Sequence, residues 1–245
     1  MELNAGAYKN RLVVMFGFHP DDIDFHAAGL AAWLIEHEAQ VIYVVVTSGD
    51  AAGKVRERER EQIKSALAVG VKKVVFLQRK DGGLKTEYSN GKLDRLVANV
   101  IRRLRPSVVV TFSPSNIKTT SWGAEHPDHI YGARSVWESV YPLARSQEVL
   151  PWWLFWRKPL AGHKVEEVLW FGDELQEPND GNCFVEVQNY WSQVEAAMSA
   201  HVSQWGDDGC AAAIAKSRAR AERAAERWGR RGQVLLEEYH QVKIS

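Results

Sequence analysis

Short apolar runs alternate with helical segments along the first half of the chain, and this alternation constrains the fold more than any other feature. Four runs have the length and composition of strands that are buried on both faces of a sheet: 12–18, 41–47, 74–77 and 108–112. Helical periodicity fills the intervals between them, at 25–38, 55–69 and 93–104. Strands separated by helices form βαβ units, so the sequence predicts an α/β fold with a mostly parallel sheet flanked by helices.

The ends of the predicted strands indicate where a ligand would bind. In open parallel sheets, ligands bind beyond the carboxyl ends of the strands. Four segments follow the predicted strands directly and are expected to share one rim of the sheet: 19–22, 48–50, 78–84 and 113–129.

The second half of the chain has a looser pattern. It predicts a helix at 130–141, short strands at 168–171 and 184–187, and a helix at 190–202. Residues 211–239 are rich in Ala, Arg and Glu, which favours a long helix or a helix pair broken near Gly229 and Gly232. Because no repeat or low-complexity linker interrupts the chain, we expect one domain over 1–245 with a helical C-terminal segment from about 210.

Composition argues against several classes of protein. The 31 Lys and Arg residues balance 31 Asp and Glu residues, so nothing indicates a dedicated nucleic-acid binder. Cys183 and Cys210 lie far apart and match no zinc ribbon or disulfide framework, which favours a reducing compartment. With no apolar leader at the N-terminus and no run long enough to span a bilayer, the sequence predicts a cytoplasmic protein without a stable membrane anchor.

Two His-Pro-Asp runs carry the most distinctive chemistry. His19-Pro20-Asp21-Asp22 follows the first predicted strand, and His126-Pro127-Asp128-His129 follows the fourth. Either run alone is compatible with a helix-capping turn or a solvated loop. Together on one rim, they bring imidazole and carboxylate groups into a small volume, a mixed ligand set that suits zinc. The sequence therefore predicts a metal site.

These motifs resemble those of the LmbE-like or PIG-L de-N-acetylases. The family signature is His-Pro-Asp-Asp, one variable residue, an acidic residue and a Gly-Gly shortly after. Here Asp24 stands where glutamate is usual, and Ala28 replaces the first glycine. Further segments resemble family motifs in the same order, at 47–53, 58–61, 81–84, 126–129 and 201–204, so the resemblance covers about residues 11–205.

The resemblance implies a fold, a reaction and a cofactor. The fold would be Rossmann-like with the LmbE-like architecture. The reaction would remove the acetyl group from an N-acetylated amino sugar of the N-acetylglucosamine type, releasing acetate and a free amine. Its cofactor would be Zn2+, held by His19, Asp22 and His129. The expected partner is a small amino-sugar substrate, and a homo-oligomer is possible.

The resemblance also implies roles for five other residues. Asp21 would be the general base, and His126 would stabilise the oxyanion. Asp128 would orient His126, or would instead support a metal ligand from behind. Arg58 and Asp81 would bind substrate. From the residues alone, Arg58 also fits a solvated helix face and Asp81 a turn cap.

The sequence alone is compatible with two alternative functions and leaves the role of one segment undecided. A zinc-bearing carbohydrate-binding protein without activity would not need Asp21 and His126 beside an open metal position. A different metal-dependent hydrolase, such as a phosphoesterase, would normally have a second metal and more basic residues. The Trp-rich segment at 152–156 fits stacking on sugar rings, a subunit interface or core packing.

Overall fold

The computed structural model describes residues 1–115, 119–120, 123–124, 126–148, 157–171, 181–230 and 232–244. Its strands are β1 (Leu12–Gly17), β2 (Gln40–Thr47), β3 (Lys73–Arg79), β4 (Val108–Thr111), β5 (Thr119–Thr120), β6 (Gly123–Ala124), β7 (Glu167–Phe171), β8 (Cys183–Glu186) and β9 (Leu236–Lys243). Its helices are α1 (Asp22–Glu36), α2 (Val55–Ala68), α3 (Leu84–Ser89), α4 (Lys92–Leu104), α5 (Pro127–Val140), α6 (Trp191–Met198) and α7 (Val202–Arg227). The Trp-rich segment lies outside the described residues.

Seven of these strands form one mixed sheet in the order β3-β2-β1-β4-β7-β9-β8. The first five in that order pair in parallel, while β9 pairs antiparallel with both β7 and β8. The predicted α/β fold with a mostly parallel sheet flanked by helices is therefore confirmed. β5 and β6 pair separately as a short antiparallel ribbon.

The order of the strands reverses next to β1. From β1 the chain adds β2 and then β3 on one side, and later adds β4 and β7 on the other. A crevice opens outside the carboxyl ends of the strands at such a switch point. The first His-Pro-Asp run leaves β1 at this place, and the second begins α5 after β4.

Burial of the central strands explains why their sequences lack alternation. Residues 13–16 of β1 and 108–110 of β4 are fully inaccessible to solvent, as are 43–46 of β2. Helices cover both faces of a parallel sheet, so the buried middle of each central strand is apolar on both faces. The continuous apolar runs were therefore reliable predictors of these strands.

The C-terminal prediction was wrong beyond residue 227. The helix α7 ends at Arg227, and residues 236–243 form strand β9 instead of continuing a helix to Tyr239. β9 supplies hydrogen-bond partners to β7 on one side and to β8 on the other. Two neighbouring strands outweigh the local preference of a polar segment for helix. Among the helices of the described ranges, none has the length and apolar character needed to cross a membrane.

Candidate metal centre and catalytic site

The Asp22 carboxylate is fixed by the turn that leads from β1 into α1. Its Oδ2 atom accepts hydrogen bonds from the backbone N–H groups of Phe18 (2.7 Å) and His19 (2.8 Å). Burial by itself raises the pKa of Asp22, but the charges and hydrogen bonds of His129 and His19 hold it well below its usual value. The carboxylate is therefore ionised, and its Oδ1 atom faces the site.

Three ligand atoms converge at the switch point. His129 Nε2 lies 3.2 Å from Asp22 Oδ1 and 3.2 Å from His19 Nδ1. Ligand atoms about 2.0–2.1 Å from a tetrahedral zinc ion lie roughly 3.3 Å from one another. The ring of Phe112, just after β4, stacks on His129 with centroids 4.4 Å apart and holds its plane. The predicted ligands His19, Asp22 and His129 thus fit a metal ion.

The second nitrogen of His19 faces two more carboxylates. His19 Nε2 lies 3.3 Å from Asp81 Oδ1 and 3.5 Å from Asp128 Oδ2. Burial by itself lowers the pKa of His19, yet interactions with Asp128, Asp22 and Asp81 raise it well above its ordinary value. The surroundings therefore stabilise positive charge on this ring, and a carboxylate behind a ligating histidine is the usual support for a metal ligand. His19 and Asp81 also form a second group of potential metal ligands with His126.

Asp21 directly precedes Asp22 in the chain and belongs to neither group of potential metal ligands. Its backbone has φ 108°, a conformation that residues other than glycine rarely adopt. Its N–H donates to Gln62 Oε1 (2.9 Å), and its Oδ2 accepts from the indole of Trp205 (2.8 Å). Burial raises the pKa of Asp21, and the charge of Asp22 raises it further.

Arg58 is buried behind the turn and is not part of a solvated helix face. Its side chain is 4% exposed, and its guanidinium donates to Gly49 O (3.0 Å) and Pro20 O (2.9 Å). A Cβ atom at residue 49 would lie 2.3 Å from the guanidinium, so this approach needs glycine there. Arg58 Nη2 also lies 3.8 Å from Asp21 Oδ2. The Arg58 guanidinium therefore links the rim segment at 48–50 to the rim segment at 19–22.

Asp128 does not contact His126 through its carboxylate. The carboxylate is fully buried and accepts from Gly82 N (2.7 Å) and Leu84 N (3.0 Å), so it anchors the loop that carries Asp81. The contact with His126 runs instead from the Asp128 backbone N–H to His126 Nδ1 (3.2 Å). Of the two roles expected for Asp128, the geometry supports a partner behind His19.

We predict that Asp128→Asn loosens this loop. An amide has one acceptor oxygen, so its NH2 group would face one of the two backbone donors and leave it unpaired. We expect a loss of about 1–3 kcal/mol in the free energy of unfolding, measured with urea. Weaker metal binding, by about 10–100-fold, should accompany it. Equal stability of variant and wild type would show that the two hydrogen bonds contribute nothing.

The predicted rim is confirmed by contacts between its four segments. Ser48 N donates to Arg79 O, and Asp81 N donates to Asp50 Oδ1 (2.8 Å). His19, which follows β1, contacts His129, which lies in α5 after β4.

The sequence analysis missed Gln62 and Trp205, which both contact Asp21. Gln62 lies four residues after Arg58, and Trp205 lies four after His201, so each shares a helix face with a residue of a motif. That spacing could have identified both residues.

Comparisons with known proteins agree with the fold and the motifs. Residues 14–140 match the family described as GlcNAc-PI de-N-acetylase (PIG-L). The probable N-acetyl-alpha-D-glucosaminyl L-malate deacetylase 2 of Bacillus anthracis is 26% identical over 210 residues, covering 80% of this chain and 83% of that protein.

Two solved structures share the fold at low sequence identity. The N,N'-diacetylchitobiose deacetylase of Pyrococcus horikoshii superposes with a TM-score of 0.78 at 22% identity, covering 99% of this chain and 87% of that one. The 4-carboxy-2-hydroxymuconate hydratase of Pseudomonas putida superposes with a TM-score of 0.66 at 18% identity, covering 96% and 97%. The family match spans more than half of the chain and includes both His-Pro-Asp runs, so this protein belongs to the PIG-L, or LmbE-like, family.

Proposed function

We propose that this protein is a zinc-dependent hydrolase that removes the acetyl group from an N-acetylglucosamine-type sugar, releasing acetate and a free amine. The observation that carries the proposal is the convergence of His19, Asp22 and His129, with the buried Asp21 carboxylate next to Asp22 in the chain and outside this ligand group. A simple binding site has no use for a buried base next to a metal position. Deacetylases among the relatives and fold neighbours support the same reaction class.

Asp21 is suited to the role of general base. Zinc, when bound, polarises the acetyl carbonyl and makes water a stronger nucleophile at neutral pH. Asp21 takes the proton of the attacking water and can return it to the leaving amine. The raised pKa that burial and Asp22 give this carboxyl makes it a better proton acceptor than an ordinary aspartate.

His126 is suited to donate a hydrogen bond to the developing oxyanion. Its Nδ1 accepts from the Asp128 N–H, so in the neutral ring the proton stands on Nε2. Burial, His19 and His129 lower the pKa of His126, which favours this neutral form. A neutral imidazole with its proton on Nε2 can donate this hydrogen bond to the oxyanion.

The two residues predicted to bind substrate differ in their access to the site. Asp81 is partly exposed at the rim, and its Oδ1 is close to His19, so it can accept a hydrogen bond from a sugar hydroxyl. The guanidinium of Arg58 is buried and bonded to two carbonyl groups. We therefore propose that Asp81 binds substrate and that Arg58 supports the turn carrying Asp21.

A panel of N-acetylated sugars tests the reaction class. We expect metal-stripped protein to release no amine, and added Zn2+ to restore release at about one ion per chain. The hydratase among the fold neighbours is similar to this chain in fold, so a muconate-type substrate serves as the competing test. Hydration of that compound with no amine release from any sugar would overturn the proposal. Full activity after metal removal would overturn the metal assignment.

We also place this enzyme in the cytoplasm, as a single domain. Both cysteines are buried and unpaired, which supports a reducing compartment. Strands from both halves of the chain share one sheet, which supports a single folding unit. Assembly into a homo-oligomer stays a prediction.

A further inference from the structure

The start of α7 reaches across the molecule to the proposed base. Trp205 Nε1 donates to Asp21 Oδ2 at 2.8 Å, between residues 184 positions apart in sequence. The indole also packs against Phe25 of α1, with ring centroids 5.5 Å apart. Trp205 lies outside residues 14–140, the segment matched by the family.

Two further contacts anchor this turn on the helices beneath it. His201 Nε2 lies 2.9 Å from Asp24 Oδ2, and both side chains are almost completely buried. The carboxylate of Glu61 accepts from Ser203 N (2.8 Å) and Ser203 Oγ (2.6 Å). The position of the indole is therefore set by these contacts of His201 and Ser203 just before it, and not by the tryptophan alone.

Gln62 connects this anchor to the backbone of Asp21. Its Nε2 donates to Asp24 Oδ2 (2.7 Å), which leaves Oε1 to accept from Asp21 N (2.9 Å). A non-glycine residue with φ near 108° persists only where its surroundings hold it. Gln62 holds the main chain of Asp21, and Trp205 holds its side chain.

We propose that Trp205 is a positioning residue that binds Asp21 Oδ2 and leaves Oδ1 to take the proton in the reaction. A carboxylate held by one oxygen loses rotational freedom and presents the other oxygen in a fixed direction. The inference rests on the proposed function, since it takes Asp21 to be the base.

The first test measures the contact without any substrate. In 15N-labelled protein, each of the ten tryptophans gives one indole N–H resonance. The resonance that is missing from the spectrum of Trp205→Phe is that of Trp205. We expect Asp21→Ala to shift the Trp205 indole resonance upfield and to speed its hydrogen exchange. The indole of Trp191, bonded to Glu195 on α6, should stay unchanged and serves as the control. An unmoved Trp205 resonance overturns the proposal.

The second test measures the consequence for catalysis. We expect Trp205→Phe to lower kcat about 10-fold with KM within twofold, because the indole aligns the base and does not hold substrate. Metal content should stay at the wild-type value. Trp191→Phe, which removes an indole hydrogen bond to Glu195 instead of to Asp21, is the matched control and should leave kcat unchanged.

A double-mutant comparison separates this inference from the proposed function. If Trp205 acts through Asp21, Trp205→Phe should lower the residual kcat of Asp21→Asn by less than twofold. The same 10-fold loss in both backgrounds would overturn the positioning role, as would a raised KM with an unchanged kcat. Full activity of Asp21→Asn itself would instead refute Asp21 as the base.

Discussion

Asp21→Asn is expected to lower kcat by about 10²–10⁴-fold, the usual contribution of a general base. The amide is nearly isosteric with the carboxylate and can still accept from Trp205 through its oxygen. It cannot take a proton from water at neutral pH. The proposed metal ligands His19, Asp22 and His129 are unchanged, so the variant should bind zinc in the wild-type ratio.

Release of free amine from the best sugar of the panel, together with metal content, measures this effect. Asp208→Asn is the matched control, because Asp208 is exposed on α7 and the same chemical change there should leave kcat unaltered. An Asp21→Asn variant with full metal content and kcat within threefold of wild type would show that another group takes the proton. A variant that lost its metal would show that Asp21 is a ligand.

Glu237→Ala is expected to have the largest effect on stability. Helix α1 is interrupted at Ala27, where the backbone leaves the helical region, so its second half begins with unpaired N–H groups in the core. Glu237 of β9 supplies the missing acceptors. Its Oε1 atom accepts a hydrogen bond from Gly29 N (2.9 Å), and its Oε2 atom accepts one from Leu30 N (2.7 Å). Removing the carboxylate leaves these two buried backbone donors unpaired and takes an acceptor from the Tyr239 hydroxyl, and we expect the two backbone donors alone to cost about 2–5 kcal/mol.

The same contact explains the glycine of the first motif. A Cβ atom at residue 29 would lie 2.7 Å from Glu237 Oε1 and 2.6 Å from Val187 Cγ1. The glycine is thus required by the approach of a side chain from the other end of the chain. Ala28, which stands where the family usually has another glycine, is fully buried in the structure.

Urea unfolding gives the free energies for this second prediction. Glu38→Ala is the control, because the Glu38 side chain is 63% exposed and pairs with Lys9 at the surface. That change should alter the free energy of unfolding by no more than about 1 kcal/mol. Equal losses for the two variants would show that the α1 break does not depend on β9.

The sequence determined the parallel part of the sheet and which residues form the proposed metal site. Strands β1, β2 and β4 are buried on both faces, so each needs a continuous apolar run, which is visible in the sequence without knowledge of the fold. His19, Asp22 and His129 lie in short motifs directly after predicted strands. Because parallel strands end on one rim, the position of each motif along the chain was sufficient to bring these residues together.

Only the tertiary structure decided what surrounds Asp21 and Asp128. The Asp21 hydrogen bonds to Gln62 and Trp205 join residues 41 and 184 positions apart, and no local pattern specifies such partners. The Asp128 carboxylate was free, from sequence, to face His126 or a metal ligand, and the loop at 82–84 settled the choice by offering two N–H groups.

The C-terminal strand shows the same limit at the level of secondary structure. Residues 236–243 are mostly polar, and their composition does not distinguish a strand from the end of a helix. They become β9 because β7 and β8 each leave an edge that only a third strand can satisfy. Local propensity is worth tenths of a kcal/mol per residue, whereas two unpaired buried edges would cost far more, so the long-range hydrogen bonds prevail.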